Sequence, residues 1–164
     1  MDKSKNDLDN CDDGQVNKAI SRAYKYLSFR RRTVWEMEKY LMEKGYNSSV
    51  VDQTLAQLME LNLLDDSCYA YSYAEEKVEL TNNPIGPYKL QYELRNRGID
   101  GEIISNVLDR FYGNSDQETE LARKSLIKKY YQIDLSSDKD LRRAANYLER
   151  RGFSYSVIKE LLFS

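Results

Sequence analysis

The strongest constraint on the fold is a short glycine-centred pattern that occurs three times along the chain. Gly45, Gly98 and Gly152 are 53 and 54 residues apart. Each follows a leucine by four residues and precedes an apolar residue, then Asn, Asp or Ser, and later a β-branched pair. Glycine adopts the left-handed conformation that ends many helices, and Asn, Asp and Ser begin helices. Each copy therefore predicts a helix, a tight turn and a second helix, and the constant period predicts an internal repeat.

The remaining hydrophobic pattern has helical spacing, and no segment has a clear strand signal. The two prolines, Pro84 and Pro87, lie together and leave long stretches free for helix. A repeat of about 50 residues buries little apolar surface alone, so neighbouring repeats should pack on one another. We predict an all-α fold of three tandem three-helix repeats in an extended, curved array of right- or left-handed sense. The predicted segments are a disordered polar tail at 1–14 and repeats at 15–64, 65–114 and 115–164.

Local signals place several helix starts. Residues 33–36 and 115–118 both read as capping boxes, with Ser or Thr followed three residues later by Glu. An aspartate of the Asp65-Asp66 pair is expected to cap a helix, and Pro87 is expected in the first turn of another. A metal or acid/base role for the aspartate pair is the weaker interpretation, because adjacent side chains at a helix start point apart.

The composition excludes several classes of function. The chain has no histidine, which removes histidine acid/base chemistry and nearly all zinc sites. It has no phosphate-binding glycine loop and no nucleophile motif. We therefore predict a protein that is not an enzyme and binds no cofactor or metal. No apolar run reaches membrane-span length, the first residues lack a signal-peptide pattern, and two unpatterned cysteines fit a reducing compartment. A cytoplasmic monomer without membrane contact is expected.

Two groups of cations are candidates for contact with phosphate or acidic protein. One is Arg30-Arg31-Arg32 beside the stripe Lys18, Arg22 and Lys25. The other lies in the third repeat. The alternative is that these cations only favour the negative ends of helix dipoles. The candidate contact residues are Arg30, Arg31, Arg32, Lys124, Lys128, Arg142, Arg143, Arg150 and Arg151.

Other features favour a structural role. The helices that follow the glycine turns begin without Arg, Asn or Gln side chains suited to reading base edges, so sequence-specific recognition of duplex DNA is not expected. The tyrosines divide by periodicity. Those at core spacing are Tyr24, Tyr69, Tyr73 and Tyr130, and the candidates for exposed stacking or partner contacts are Tyr26, Tyr71, Tyr88, Tyr92 and Tyr131.

Over residues 17–162 the chain resembles the bacterial RecX regulatory proteins. The resemblance rests on four elements at compatible spacing. They are Tyr26-Leu27 followed by Arg30-Arg31-Arg32 and the 33–36 cap, Leu63-Leu64-Asp65-Asp66 with Tyr69-Ala70, Gly86-Pro87 with the segment 93–99, and the segment 150–158. One departure is the segment 74–80, which is mostly acidic here and often basic in the family. It disfavours contact of the middle repeat with DNA.

The resemblance implies a function. It implies binding to the RecA recombinase filament on single-stranded DNA, and modulation, usually inhibition, of filament growth, ATP hydrolysis and strand exchange in DNA repair and recombination. Two alternatives stay open. One is a nucleic-acid-binding helical module that acts without RecA, and the other is a helical scaffold that binds only protein.

Overall fold

The computed structural model describes residues 4–130 and 137–163. Within these ranges all regular secondary structure is α-helical, which confirms the predicted all-α class. The nine helices of the described ranges are α1 (Ser4–Leu27), α2 (Val34–Glu43), α3 (Ser48–Glu60), α4 (Asp66–Val78), α5 (Pro87–Arg95), α6 (Gly101–Tyr112), α7 (Ser115–Lys129), α8 (Asp138–Arg150) and α9 (Tyr155–Phe163). No helix in these ranges is long and apolar enough to cross a membrane.

The first helix begins earlier than the sequence predicts. Helix α1 starts at Ser4, whereas residues 1–14 were expected to form a disordered tail. The segment contains no proline, so its backbone can adopt the helical conformation.

The three glycine corners have the predicted geometry. Gly45, Gly98 and Gly152 have φ values of 86°, 73° and 83°. In the first corner the N–H of Tyr46 donates to the carbonyl of Leu41 at 3.4 Å, and the N–H of Gly45 donates to Met42 at 3.0 Å. The other two corners repeat both bonds, which are those of the Schellman motif. All three corners therefore end their helices in the same way.

Side-chain caps begin the helices that follow the first two corners. The carboxamide of Asn47 accepts from the N–H of Val50, and the carboxylate of Asp100 accepts from that of Glu102, both at 2.8 Å. The capping box at the start of α2 is also confirmed. The N–H of Glu36 donates to the Thr33 hydroxyl at 3.1 Å, and the N–H of Thr33 donates back to the Glu36 carboxylate at 3.3 Å.

The capping box predicted at residues 115–118 is wrong. The N-cap of α7 is Asn114, whose side chain accepts from the N–H of Asp116 at 3.0 Å. The Glu118 carboxylate instead accepts from the N–H of Ser154 at 2.6 Å, just before α9 begins. A partner from a distant part of the sequence has replaced the local one.

The chain divides into two compact units, 1–69 and 70–164. In unit 1, α3 packs against both α1 and α2. Its core consists mainly of apolar side chains from these three helices. The buried members are Val16, Ala19, Ala23, Met37, Leu41, Val50, Val51, Leu55, Leu58 and Leu64. Tyr24, predicted for this core, is 45% exposed, because Ala23 and Ala19 occupy the inward face of α1 instead.

Unit 2 contains most of α4 and the whole of α5 to α9. Helix α5 packs on α6, α6 on α7, and α9 on both α7 and α8. The core around α7 to α9 consists of the buried side chains Ala122, Leu126, Ala144, Tyr147, Leu148, Phe153, Val157, Ile158 and Leu162. Leu90 and Leu94 of α5 and Ile104 and Val107 of α6 are also buried.

The loop before α5 is bonded to the last glycine corner. The N–H of Gly86 donates to the carbonyl of Arg151 at 2.8 Å, and the N–H of Tyr88 donates to Gly152 at 3.0 Å. A Cβ on Gly86 would lie 2.3 Å from the carbonyl carbon of Gly152. The residue before Pro87 must therefore be glycine for this contact to form.

Candidate partner-binding surfaces

The three adjacent arginines of unit 1 have three different environments. The Arg30 guanidinium bonds both carboxylate oxygens of Glu36, at 2.8 and 3.4 Å. This hydrogen bond is the main reason that the pKa of Arg30 is raised above its ordinary value. Because Glu36 also closes the capping box of α2, Arg30 supports the start of that helix.

Arg32 belongs to an aromatic stack. The rings of Tyr26 and Tyr40 are parallel within 8°, with centroids 3.9 Å apart. The guanidinium carbon of Arg32 also lies 3.9 Å from the centroid of the Tyr26 ring. Since both groups cannot occupy one face, Tyr26 lies between them. Tyr26 is thus half-buried, and the predicted role in exposed stacking does not fit it.

Arg31 lies beside the start of α4. One of its guanidinium nitrogens is 3.6 Å from the sulfur of Cys68. Arg31, Arg32 and Cys68 line a hollow of about 300 Å³ together with Leu27, Asn62, Leu63, Asp65 and Tyr69. Of the three arginines, Arg30 and Arg31 are exposed and Arg32 is half-buried.

The aspartate pair has a structural role in unit 1. The Asp65 carboxylate accepts from the N–H of Cys68 at 2.8 Å and so caps α4. The Asp66 carboxylate accepts from the N–H of Val34 at 2.8 Å, at the start of α2. Burial raises the pKa of Asp66, and the hydrogen bond from Val34 opposes that effect. Each carboxylate thus satisfies the N-terminal backbone of a different helix. The described residues contain no group of side chains suited to hold a metal ion.

The cations of the third repeat lie on α7 and α8. Arg142 and Arg143 are exposed, and Arg143 forms an ion pair with Asp140 at 3.1 Å. Lys124 is half-buried, while Lys128 and Arg150 are exposed. The side chains of Lys128, Arg142 and Arg150 make no hydrogen bond or ion pair with other described residues. These three charges are therefore available to a partner.

Arg151 is directed into the protein. Its guanidinium donates to the carbonyl of Pro84 at 2.8 and 3.3 Å and also to the carbonyl of Asn83. Beside it, the Asn83 side-chain oxygen accepts from the hydroxyls of Ser125 and Tyr147, both at 2.9 Å. Arg150 and Arg151 are thus adjacent in sequence but different in role.

Two features of the contact between the loop before α5 and the corner between α8 and α9 have no local sequence signal. The Tyr112 hydroxyl donates to the carbonyl of Ile85 at 2.8 Å, and burial raises its pKa. The polar cluster around Asn83 joins residues 42 and 64 positions apart. The Gly86-Pro87 turn and the Arg150-Arg151-Gly152 corner were each conspicuous in the sequence, but nothing indicated that they touch.

The acidic side chains of the segment 74–80 are exposed. Glu75, Glu76 and Glu79 all face solvent, and Lys77 pairs with Glu76 at 3.1 Å.

Apart from Tyr24 and Tyr26, the described tyrosines divide between buried and exposed positions as predicted. Tyr69 is buried, Tyr73 and Tyr130 are half-buried, Tyr71, Tyr88 and Tyr92 are exposed, and Tyr131 lies outside the described residues.

Three family models match successive parts of the chain. They describe the first, second and third three-helix domains of RecX and match residues 19–58, 65–108 and 116–162. Each match contains one of the glycine corners described above.

Similar proteins and structures agree with these models. The chain is 31% identical over 149 residues to the regulatory protein RecX of Chlorobaculum tepidum, covering 91% of this chain and 89% of the relative. It is 32% identical to that of Lactococcus lactis subsp. cremoris, of which it spans only 53% while 87% of this chain is matched. A crystal structure of regulatory protein RecX superposes with a TM-score of 0.78 at 28% identity, covering 98% of this chain and 78% of that one.

A second solved structure, RecX from Lactobacillus salivarius, has a TM-score of 0.72 at 25% identity, covering 90% of this chain and 94% of that one. The family models, the relatives and the solved structures all agree with the tandem three-helix repeats and with the predicted resemblance. This chain belongs to the RecX family of regulatory proteins.

Proposed function

We propose that this protein is a non-enzymatic regulator that binds the RecA filament on single-stranded DNA and inhibits its ATP hydrolysis and growth. The observation that carries the proposal is membership of the RecX family across all three three-helix domains. The charge distribution supports it. Exposed cations occur in both units, at Arg31, Lys128, Arg142 and Arg150, whereas the acidic segment of α4 is suited to basic protein rather than to phosphate.

The test is a titration of RecA ATP hydrolysis on single-stranded DNA. Increasing amounts of the protein should lower ATP turnover and shorten filaments seen by electron microscopy. Unchanged turnover and filament length over a broad titration would overturn the proposal.

Charge variants test which cations act in this function. Arg31→Gln and the pair Lys128→Gln with Arg142→Gln should each weaken inhibition, because each removes positive charge from an exposed position. Arg30 and Arg32 are poor choices for this purpose, since replacing them disturbs the start of α2 and the Tyr26 stack. Arg95→Gln is the matched control, as Arg95 is an exposed cation of the middle repeat. Equal loss in the control would count against a specific basic surface.

A second candidate is a nucleic-acid-binding module that acts without RecA. The exposed cations on α7 and α8 favour it. It predicts tight binding to bare single-stranded DNA, with a log–log salt slope that changes by about 0.7 for each phosphate contact removed. Strong binding to the filament together with weak binding to bare DNA would decide against this candidate.

A further inference from the structure

A groove in unit 2 is lined by three exposed aromatic side chains. Its volume is about 690 Å³, within the range of about 300–1,000 Å³ typical of binding sites. Its floor contains Phe153 and Ile158, which are buried. Its walls are Tyr88, Tyr155 and Phe163, which are 62%, 78% and 56% exposed. We call this surface the aromatic groove.

The aromatic groove joins two predicted repeats. Tyr88 is contributed by the first turn of α5, and the other walls by α9. The N–H of Tyr88 donates to the carbonyl of Gly152, which fixes the backbone of one wall against the corner that forms the floor. Because the backbone of that wall is fixed before binding, it loses less conformational entropy when a partner docks.

The charges at the groove identify the kind of occupant. Glu149 of α8 and Lys159 of α9 both line it. A single strand is usually held by a groove of positive charge that follows its phosphates, whereas here Glu149 would repel a phosphate backbone and Lys159 is the one cation among the described residues of the lining. An amphipathic helix fits better, because its apolar residues at spacings of three and four can enter the groove while a basic residue meets Glu149 and an acidic one meets Lys159.

We propose that the aromatic groove docks an amphipathic helix from a protein subunit of the filament, not the nucleic acid within it. This inference rests on the proposed function, since that function supplies the filament. It assigns protein contact to α5, α8 and α9, and leaves contact with phosphate to the exposed cations.

Site-specific photo-cross-linking tests the proposal. Tyr155 is replaced by p-benzoylphenylalanine, and Met59, an exposed apolar residue of α3 outside the groove, is replaced in a control protein. Each protein is irradiated with RecA assembled on fluorescein-labelled single-stranded DNA, and co-sedimentation is measured on the same samples. We expect a RecA adduct from position 155 and none from position 59.

The other outcomes separate the two proposals. Co-sedimentation without a RecA adduct at position 155, or with an adduct to DNA or to a second copy of this chain, overturns the groove assignment and leaves the proposed function intact. No co-sedimentation and no adduct overturns the proposed function, and the groove assignment with it.

A charge reversal gives an independent test. Glu149→Lys should weaken filament binding about fivefold if a basic residue of a helix faces it, but should strengthen binding if the groove holds phosphates. Tyr155→Ala with Phe163→Ala should weaken binding about tenfold or more, whereas the exposed control Met59→Ala should not. The helical circular dichroism signal and the urea midpoint of each variant check that folding is retained. Tighter binding by Glu149→Lys, or unchanged binding by the double variant, would contradict the assignment.

Discussion

The guanidinium of Arg151 donates to the backbone carbonyl of Pro84 at 2.8 Å and thereby connects the loop before α5 to the corner between α8 and α9. The two residues are 67 positions apart, and Pro84 is buried. Removing the guanidinium would leave a buried carbonyl without its donor. The preceding arginine, Arg150, is exposed and makes no hydrogen bond or ion pair with described residues. Variants of Arg150 and Arg151 can therefore be compared to separate an effect on binding from an effect on stability.

Arg151→Gln should destabilise the protein by about 1–3 kcal/mol, the cost of leaving buried polar groups unsatisfied. Arg150→Gln should change stability by less than about 0.5 kcal/mol, yet weaken inhibition of RecA. Urea unfolding followed by circular dichroism measures the first effect, and the ATP hydrolysis titration measures the second. Equal unfolding midpoints for the two variants would contradict the structural role of Arg151.

The glycine corners should differ in their tolerance of alanine. Gly45 has φ of 86° but open space where a Cβ would lie. Gly45→Ala should therefore cost about 1–2 kcal/mol from left-handed backbone strain alone. A Cβ on Gly152 would in addition lie 2.3 Å from the backbone nitrogen of Lys89. Gly152→Ala should cost at least about 3 kcal/mol, as steric overlap adds to strain. Urea midpoints measured side by side check this order, and a smaller loss for Gly152→Ala would refute it.

The helix corners could be predicted from the sequence because their determinants are local. The glycine, the leucine before it and the apolar residue after it lie within six positions. This short pattern is enough to predict both backbone hydrogen bonds of the corner. The contacts of Glu118 and Arg151 could not be predicted in this way. Their partners are 36 and 67 residues distant, and only the packing of helices in unit 2 brings them together. The same reason explains the incorrect capping box at 115–118.

The candidate contact residues show a related limit. Composition located the basic segments, but the adjacent arginines have different partners. Arg30 bonds Glu36, Arg31 lies beside Cys68, and Arg32 stacks on Tyr26. Charge density along a sequence predicts a basic region, and the helix geometry decides which of its side chains reach a partner.

Asp66 should make stability depend on pH in the direction opposite to most carboxylates. Burial raises its pKa in the folded protein, so the folded state binds the proton more tightly than the unfolded state does. The resulting contribution to stability is complete below the ordinary pKa of aspartate and is lost as pH rises through the raised pKa. Asp66→Asn removes this contribution, and its stability relative to the wild type should therefore increase as the pH rises above the ordinary pKa of aspartate, about 3.9.

Urea unfolding of both proteins at several pH values measures that difference. A stability difference between Asp66→Asn and the wild type that falls with pH would show that the hydrogen bond from Val34 outweighs burial.

Modification of Cys68 should interfere with Arg31, because the sulfur lies 3.6 Å from the guanidinium and the side chain is exposed. In a Cys11→Ser background, N-ethylmaleimide can react with Cys68 alone, and the adduct would displace Arg31 from its position. We expect filament affinity to fall about tenfold, as for loss of one charge-assisted contact. The same reagent should not affect a protein that also carries Cys68→Ser. It should cause little further loss in one that carries Arg31→Gln, because the two changes act on one contact. Full additivity of the two losses would mean that Cys68 modification acts elsewhere than through Arg31.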